Sequence, residues 1–272
     1  MQDFSISPRE MAASLWRNRS LVWALVQREI TGRYRGSVMG LLWSLFNPIF
    51  MLAIYTFVFS VVFKARWNVG SDSKTEFALM LFAGLMIFSL FSECLNRAPG
   101  LIIGNTNYVK KVVFPLDILP WVALGSAVFH FLVSLTVWLI AYAILFGTPN
   151  ITALLLPLVV FPLLLLTLGI TWFLASLGVF LRDVGQVISV LIPVLMFMSP
   201  IFYPVTALPE AYQGYLMMNP LTPVIEQARV VMYLGQLPDF TQLAFNSLVS
   251  LLIFWAGFAW FQKTRKGFAD VL

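Results

Sequence analysis

Six stretches of the chain are apolar over a membrane-crossing length, at about residues 38–63, 76–97, 118–146, 151–181, 184–203 and 240–261, each bounded by charges, Gly or Pro. The fourth is longer than one crossing needs and carries Pro157 and Pro162, so it is expected to tilt, kink or begin outside the membrane. Ahead of the first, Ser7, Pro8 and Glu10 read as a helix start: a serine cap, proline at the first helical position, and a glutamate able to return to the cap's N–H. After Ser20, Val22, Trp23, Val26 and Ile30 fall on one helical face, with Gln27, Arg28 and Glu29 largely opposite and Gly32 as a stop. That is the pattern of an amphipathic helix lying at the inner membrane surface, and it equally suits a simple basic anchor.

Two connecting segments break the apolar pattern. Residues 98–117 (APGLIIGNTNYVKKVVFPLD) are too apolar for a flexible linker and too interrupted for a span. A short helix around Asn107–Val113 is expected there, displaying Tyr108, Lys110, Lys111 and Phe114 to a soluble partner, unless the lysines serve only topology. Between Ser199 and Phe240, Pro200, Pro204, Pro209, Pro220, Pro223 and Pro238 divide pieces each too short to cross. Thr222 and Pro223 read as a helix start, and Glu226 can pair with Arg229 one turn later. Two short re-entrant helices on the outer side fit this pattern, beside an aqueous pathway, since non-helical backbone at membrane depth survives only in such places. A plain external loop is the alternative.

Composition fixes the solvent. Of the 272 residues 60% are hydrophobic and 11% charged, with a mean hydropathy of +0.88, whereas roughly a quarter of a soluble domain is charged. The expected fold class is therefore an all-α integral membrane protein of six transmembrane helices. Its divisions are a cytoplasmic segment at 1–37, a membrane domain at 38–261 and a basic tail at 262–272. The polar, basic start does not read as a cleavable signal. Arg9, Arg17, Arg19, Arg28, Arg33, Arg35, Arg97, Lys110, Lys111, Arg182, Lys263, Arg265 and Lys266 fall on one side, and Lys64, Arg66, Lys74 and Arg229 on the other. The positive-inside rule then puts both termini in the cytoplasm. The net charge of +5 is thus mainly a topology signal and does not point to nucleic acid.

The chemistry the chain lacks narrows its function. No G-x-x-x-x-G-K-[ST] loop occurs, so any ATP energy must come from another subunit. Glu93 is the main carboxylate within the spans and reads as an interfacial ion pair with Arg97, which argues against proton or sodium coupling. His130, the one histidine, reads as a packed residue without a carboxylate partner. Asp117 and Asp183 stand singly at span ends, whereas an enzyme acting on polyprenyl phosphates would need paired carboxylates for a metal. Cys94 is the single cysteine and has no companions for a disulfide or a cysteine-based metal site.

Aromatic surface is abundant. Phe, Trp and Tyr make up 15% of the chain, and Trp43, Phe46, Phe50 and Phe57 form one stripe of the first span. Rings of this kind can stack on the C–H faces of sugars. By itself such a stripe reads first as lipid contact or helix packing. Phe202 and Tyr203, next to the proline-rich segment, are comparable outer-side candidates.

Three segments together carry a family resemblance: LVWALVQREITGRYRGSVMGLLWSLFNPIFMLAIYTFVFSVVF, RDVGQVISVLIPVLMFMSPIFYPVTALP and NPLTPVIEQARVV. With an R-x-x-G-x-x-x-G-x-x-W approach to the first span, an R-D turn before the fifth and N-P-x-T-P in the outer segment, the chain resembles permease subunits of type-2 ABC exporters of lipid-linked polysaccharides, from about residue 20 onward. The resemblance implies a homodimer of six-span subunits in the bacterial inner membrane, bound to two ATPase subunits that hold ATP and Mg²⁺, with no cofactor in this chain. It implies a glycan on undecaprenyl diphosphate as substrate, with O-antigen ahead of teichoic acid, capsule, a drug or a small lipid. It further implies an interface helix (Val22, Trp23, Val26, Arg28, Glu29, Ile30), a coupling helix (Tyr108, Lys110, Lys111, Phe114), a gate hairpin at 204–239 (Pro209, Glu210, Pro220, Pro223, Glu226, Arg229) and aromatic stripes lining the channel.

Overall fold

A computed structural model describes residues 5–62, 74–110 and 114–272. Among these residues every regular element is helical. The helices are α1 (Pro8–Arg17), α2 (Arg19–Tyr34), α3 (Leu42–Tyr55), α4 (Lys74–Arg97), α5 (Thr106–Lys110), α6 (Leu119–Phe146), α7 (Leu156–Phe180), α8 (Val184–Phe197), α9 (Glu210–Met217), α10 (Leu221–Arg229), α11 (Phe240–Thr264) and α12 (Phe268–Val271). A π-helical turn, Thr56–Val62, extends α3.

Among the described residues five segments are long and apolar enough to cross a membrane: Leu42–Phe59, Thr75–Gly100, Leu116–Phe146, Ile151–Phe180 and Phe240–Val271. The sixth expected span is shorter. Helix α8 has 14 residues, or about 21 Å at 1.5 Å per residue, against roughly 30 Å of hydrocarbon. It stops at Phe197 because the chain turns through Ser199 and Pro200, not at residue 203 as the apolar run suggested.

The bundle is organised around α4, whose apolar window is 83% buried, compared with 6% for α3. Helices α6, α7, α8 and α10 pack on α4, and α11 packs along α7. The α7–α11 contact is backbone to backbone: a Cβ on Gly169 would lie 2.5 Å from the Ile253 carbonyl oxygen and 2.7 Å from Phe254 Cα. Small residues allow this approach, which replaces the hydrophobic drive absent between helices in lipid. Gly178 receives Pro99 in the same way, tying the start of the loop after α4 to α7. The long fourth run resolves into a 3₁₀ turn (Ile151–Leu155) followed by α7, with Pro157 in the first turn and Pro162 inside the helix.

Several local expectations change. Ser7 caps α1 through bonds from the Arg9 and Glu10 N–H groups (3.1 and 3.4 Å), but Glu10 pairs with Arg17 rather than returning to the cap. Gly32 lies inside α2, and the chain leaves the helix after Tyr34, where Gly36 and Gly40 take φ of 84° and 52°. The start of α10 is set by Asn219, whose Oδ1 accepts the Leu221 N–H at 3.0 Å, while the hydroxyl of Thr222 is buried with no hydrogen-bond partner among the described residues.

Candidate functional site

Where α2, α3, α4 and α6 meet they line an open cavity of about 350 Å³. Helix α3 supplies Ser44, Asn47, Pro48, Met51 and Tyr55, at intervals that keep them on one face. Helix α4 contributes Ser89, Ser92 and Glu93, also one face by spacing, and α6 adds His130 and Ser134. The end of α2 closes the polar side with Arg33 and Tyr34, and Met196 of α8 touches the far wall. Ser89 and Asn47 are exposed. Polar groups at membrane depth require protein or water partners, so this face is built to meet something other than lipid tails.

An ion network orders the polar end. Arg33 donates to Glu93 Oε1 at 2.7 Å, and His130 Nδ1 sits 2.9 Å from Glu93 Oε2. The hydroxyl of Tyr34 lies 3.3 Å from His130 Nε2. Hence His130 does have a carboxylate partner, contrary to its reading as a lone packed residue. Glu93 and Arg97 are 3.8 Å apart, and Arg97 binds chiefly Glu29 of α2, so the expected simple pair is one edge of a larger cluster. Glu29 therefore faces the bundle instead of lying opposite the packing face.

The expected channel aromatics lie on another side of α3. Trp43, Phe46, Phe50 and Phe57 are all exposed on the surface of the chain, with Trp43 and Phe46 in edge contact at 6.3 Å. Phe202 is stacked instead, between Phe59 and Phe197, at 5.6 Å from each. Tyr203 donates its hydroxyl to the Phe197 carbonyl at 2.9 Å. Phe59 and Phe197 thus complete an aromatic pile that spacing alone did not reveal.

On α2, the expected interface helix, Leu25 and Val26 are buried against Ile118 and Val122, and Val26 nests on Gly125. Val22 and Ile30 are half-buried beside them, whereas Trp23 points away and is 63% exposed. Arg28 donates to the Tyr108 hydroxyl at 3.1 Å. Tyr108 stacks on Phe114 at 4.2 Å, and Phe114 packs on the Leu25–Val26 cluster, so both rings face inward. Lys110 is exposed and contacts the Leu272 carbonyl, while Lys111 lies outside the described residues.

Asp117, next to this region, is buried and accepts from Ser14 of α1 and from Arg265 at 3.3 Å, while its carbonyl accepts the Trp172 indole at 3.0 Å. Arg265 also donates to the Phe114 carbonyl at 3.0 Å. A carboxylate that sequence left as a solitary span end thus joins α1, α6, α7 and the end of α11. On the exposed side of α1, hydrogen bonding and charge from Glu10 hold the Arg17 guanidinium above its ordinary pKa.

The residues expected to form a gate divide by burial. Pro209, Glu210 and Pro220 are exposed, whereas Pro223 and Arg229 are buried and Glu226 is half-buried. Arg229 bonds the carbonyls of Pro200 (2.6 Å), Ile201 (3.0 Å) and Met80 (3.0 Å), and pairs with Glu226 at 2.7 Å. It clamps the turn after α8 to both α10 and α4.

Residues 20–233 match the family model described as ABC-2 type transporter. The chain is 30% identical to the O-antigen export system permease protein RfbA of Myxococcus xanthus, over 96% of this chain and 98% of that protein. It is 26% identical to the protein of the same name from Klebsiella pneumoniae (93% and 95% covered). Identity to the polysialic acid transport protein KpsM of Escherichia coli is 27% (90% and 93% covered). With a family match over most of its length and a relative aligned nearly end to end, the chain belongs to the ABC-2 type transporter family.

Proposed function

We propose that this chain is the permease subunit of an ABC exporter that carries undecaprenyl-diphosphate-linked polysaccharide, O-antigen in the first instance, across the bacterial inner membrane. Two copies of the chain form the conduit, and ATP with Mg²⁺ is bound and hydrolysed on two separate ATPase subunits. The observation that carries the reading is the cavity beside α3, where hydroxyl, amide and ionised groups open among membrane-crossing helices. Near full-length similarity to an O-antigen export permease supports the choice of cargo.

In this reading α8 and the turn after it make the sixth crossing, and both termini lie in the cytoplasm. Helix α2 and the α5 region receive the ATPase: the Arg28–Tyr108 bond and the Glu29–Arg97 pair link α2 to α5 and to α4, which gives a push from below a path to the cavity. The hairpin of α9 and α10 forms the outer gate. The aromatic faces around Trp43 and Phe202 hold the polymer between strokes.

Purification in mild detergent tests the proposal. A stoichiometric ATPase and a lipid-linked sugar are expected to accompany the chain, and cells lacking it are expected to lose surface polysaccharide. Translocation of glycan by a single copy in liposomes without any ATPase would refute it.

A further inference from the structure

We propose that the cavity is a saccharide subsite selective for an uncharged, hydroxyl-rich sugar over a carboxylated or phosphorylated one. The inference rests on the glycan-export reading and adds the charge class of the cargo and the residues that select it.

The charge balance inside the cavity carries the argument. Arg33 and Glu93 are the full charges of opposite sign on its wall, and they are paired at 2.7 Å. His130 and Tyr34 are ordered around the same carboxylate, at 2.9 Å from Glu93 and 3.3 Å from His130 respectively. Arg97, the next cation, is turned to Glu29. Among the described lining residues no cation is therefore left over for an anionic sugar, and a second carboxylate brought beside Glu93 would meet like-charge repulsion.

The remaining polar groups suit hydroxyls. Neither the Asn47 amide nor the Ser89 hydroxyl makes a hydrogen bond among the described residues, the Ser89 carbonyl alone accepting from Ser92 at 3.3 Å, and both side chains are open to the cavity. An amide presents donors and an acceptor together, and a hydroxyl does the same, which is what a sugar hydroxyl, itself both donor and acceptor, can satisfy. The apolar wall of Tyr55, Phe82 and Phe88 can face a sugar's C–H surface. The volume, about 350 Å³, falls in the range of roughly 300–1,000 Å³ of small-molecule pockets.

Because His130 is the chain's one histidine, ¹⁵N-histidine labelling puts a single imidazole reporter in the cavity wall. The full-length chain, carrying a histidine-free tag, is placed in lipid nanodiscs with unlabelled ATPase. It is titrated with a neutral mannose oligosaccharide and with an α2,8-linked sialic acid oligosaccharide of equal length. The neutral probe is expected to shift the His130 resonances at a concentration at least about tenfold lower than the anionic one, a ratio worth about one decade in Kd. Asn47→Ala should weaken the neutral titration, and Leu248→Ala, on the exposed face of α11 away from the cavity, should leave it unchanged. Glu93→Gln offers an independent reading, since it should bring the two oligosaccharides closer together.

Equal or tighter binding of the sialic acid probe by wild type overturns the inference. So does a silent His130 with both probes in cells that still lose surface glycan when the chain is deleted, although the export reading then stands. If deletion leaves surface glycan unchanged, the export reading itself falls, and the inference with it.

Discussion

Arg229 sets a quantitative test of how the outer hairpin is held. Its side chain is buried, at 2% relative exposure, and donates to three backbone carbonyls belonging to α4 and to the turn after α8, as well as pairing with Glu226. Arg229→Met keeps much of the apolar stem but removes every donor. Each buried carbonyl left unmet costs about 1–3 kcal/mol, partly offset because a buried guanidinium no longer has to be desolvated. A net loss of about 4 kcal/mol follows, within the roughly 3–5 kcal/mol seen when one partner of a buried charged contact is removed. At about 2–4 °C per kcal/mol for a chain near this size, the thermal midpoint in detergent, followed by loss of the monodisperse species, should fall by on the order of 10 °C. Arg229→Lys retains the charge but has no planar fork to reach three carbonyls, so its midpoint should lie between the two. A drop below about 2 °C for Arg229→Met would mean that packing of Leu221, Val224 and Ile225, rather than the guanidinium, fixes the hairpin.

Gly169→Ala puts a methyl group against the Ile253 carbonyl, and overpacking of this kind costs about 1–3 kcal/mol; an unchanged thermal midpoint would show that α7 and α11 separate freely. Changing Lys110 and Lys111 together to glutamate should lower substrate-linked ATP turnover in reconstituted vesicles while insertion persists, and normal turnover would reduce that loop to a topology device. Replacing Trp43 and Phe50 by alanine should reduce surface glycan more than it reduces ATPase co-purification. Normal export in that variant would assign the stripe to lipid or a packing neighbour. Asp117→Ala should loosen the contacts to Ser14 and Arg265, read as faster proteolysis at residues 1–18 or 265–272, and an unaltered digestion pattern would refute that role.

Much of the architecture was legible because lipid imposes a coarse rule: long apolar runs must be helices. The ends were less legible. Gly32 looked like a stop, yet α2 continues to Tyr34 since glycine inside a helix costs only about 1 kcal/mol and packing of Leu25 and Val26 outweighs it. The length of α8 was overestimated because Met198–Tyr203 is mostly apolar while its backbone is not helical, the carbonyls of Pro200 and Ile201 being met by Arg229 and that of Met198 by Asn219. The cavity's members could be found individually, as Ser89, Ser92 and Glu93 repeat at helical spacing in α4 and Ser44 and Asn47 in α3. What sequence could not give is that these two stripes face each other, or that His130, 37 residues beyond Glu93, lies within bonding distance of it. Tyr108 and Phe114, which sequence places in a displayed loop, are half-buried and stack on each other, a pairing that spacing does not reveal.

The glycine contact between α7 and α11 has a mechanical corollary. Two rods whose backbones touch leave no side-chain layer to shear, so they move as one body, and Gly178 against Pro99 fastens the foot of α4 to the same block. Helix α3, with few of its residues buried, and the short α8 lie outside that block and meet it through side chains. The chain thus divides into a glycine-locked block and a less covered helix, and the cavity lies along the seam between them.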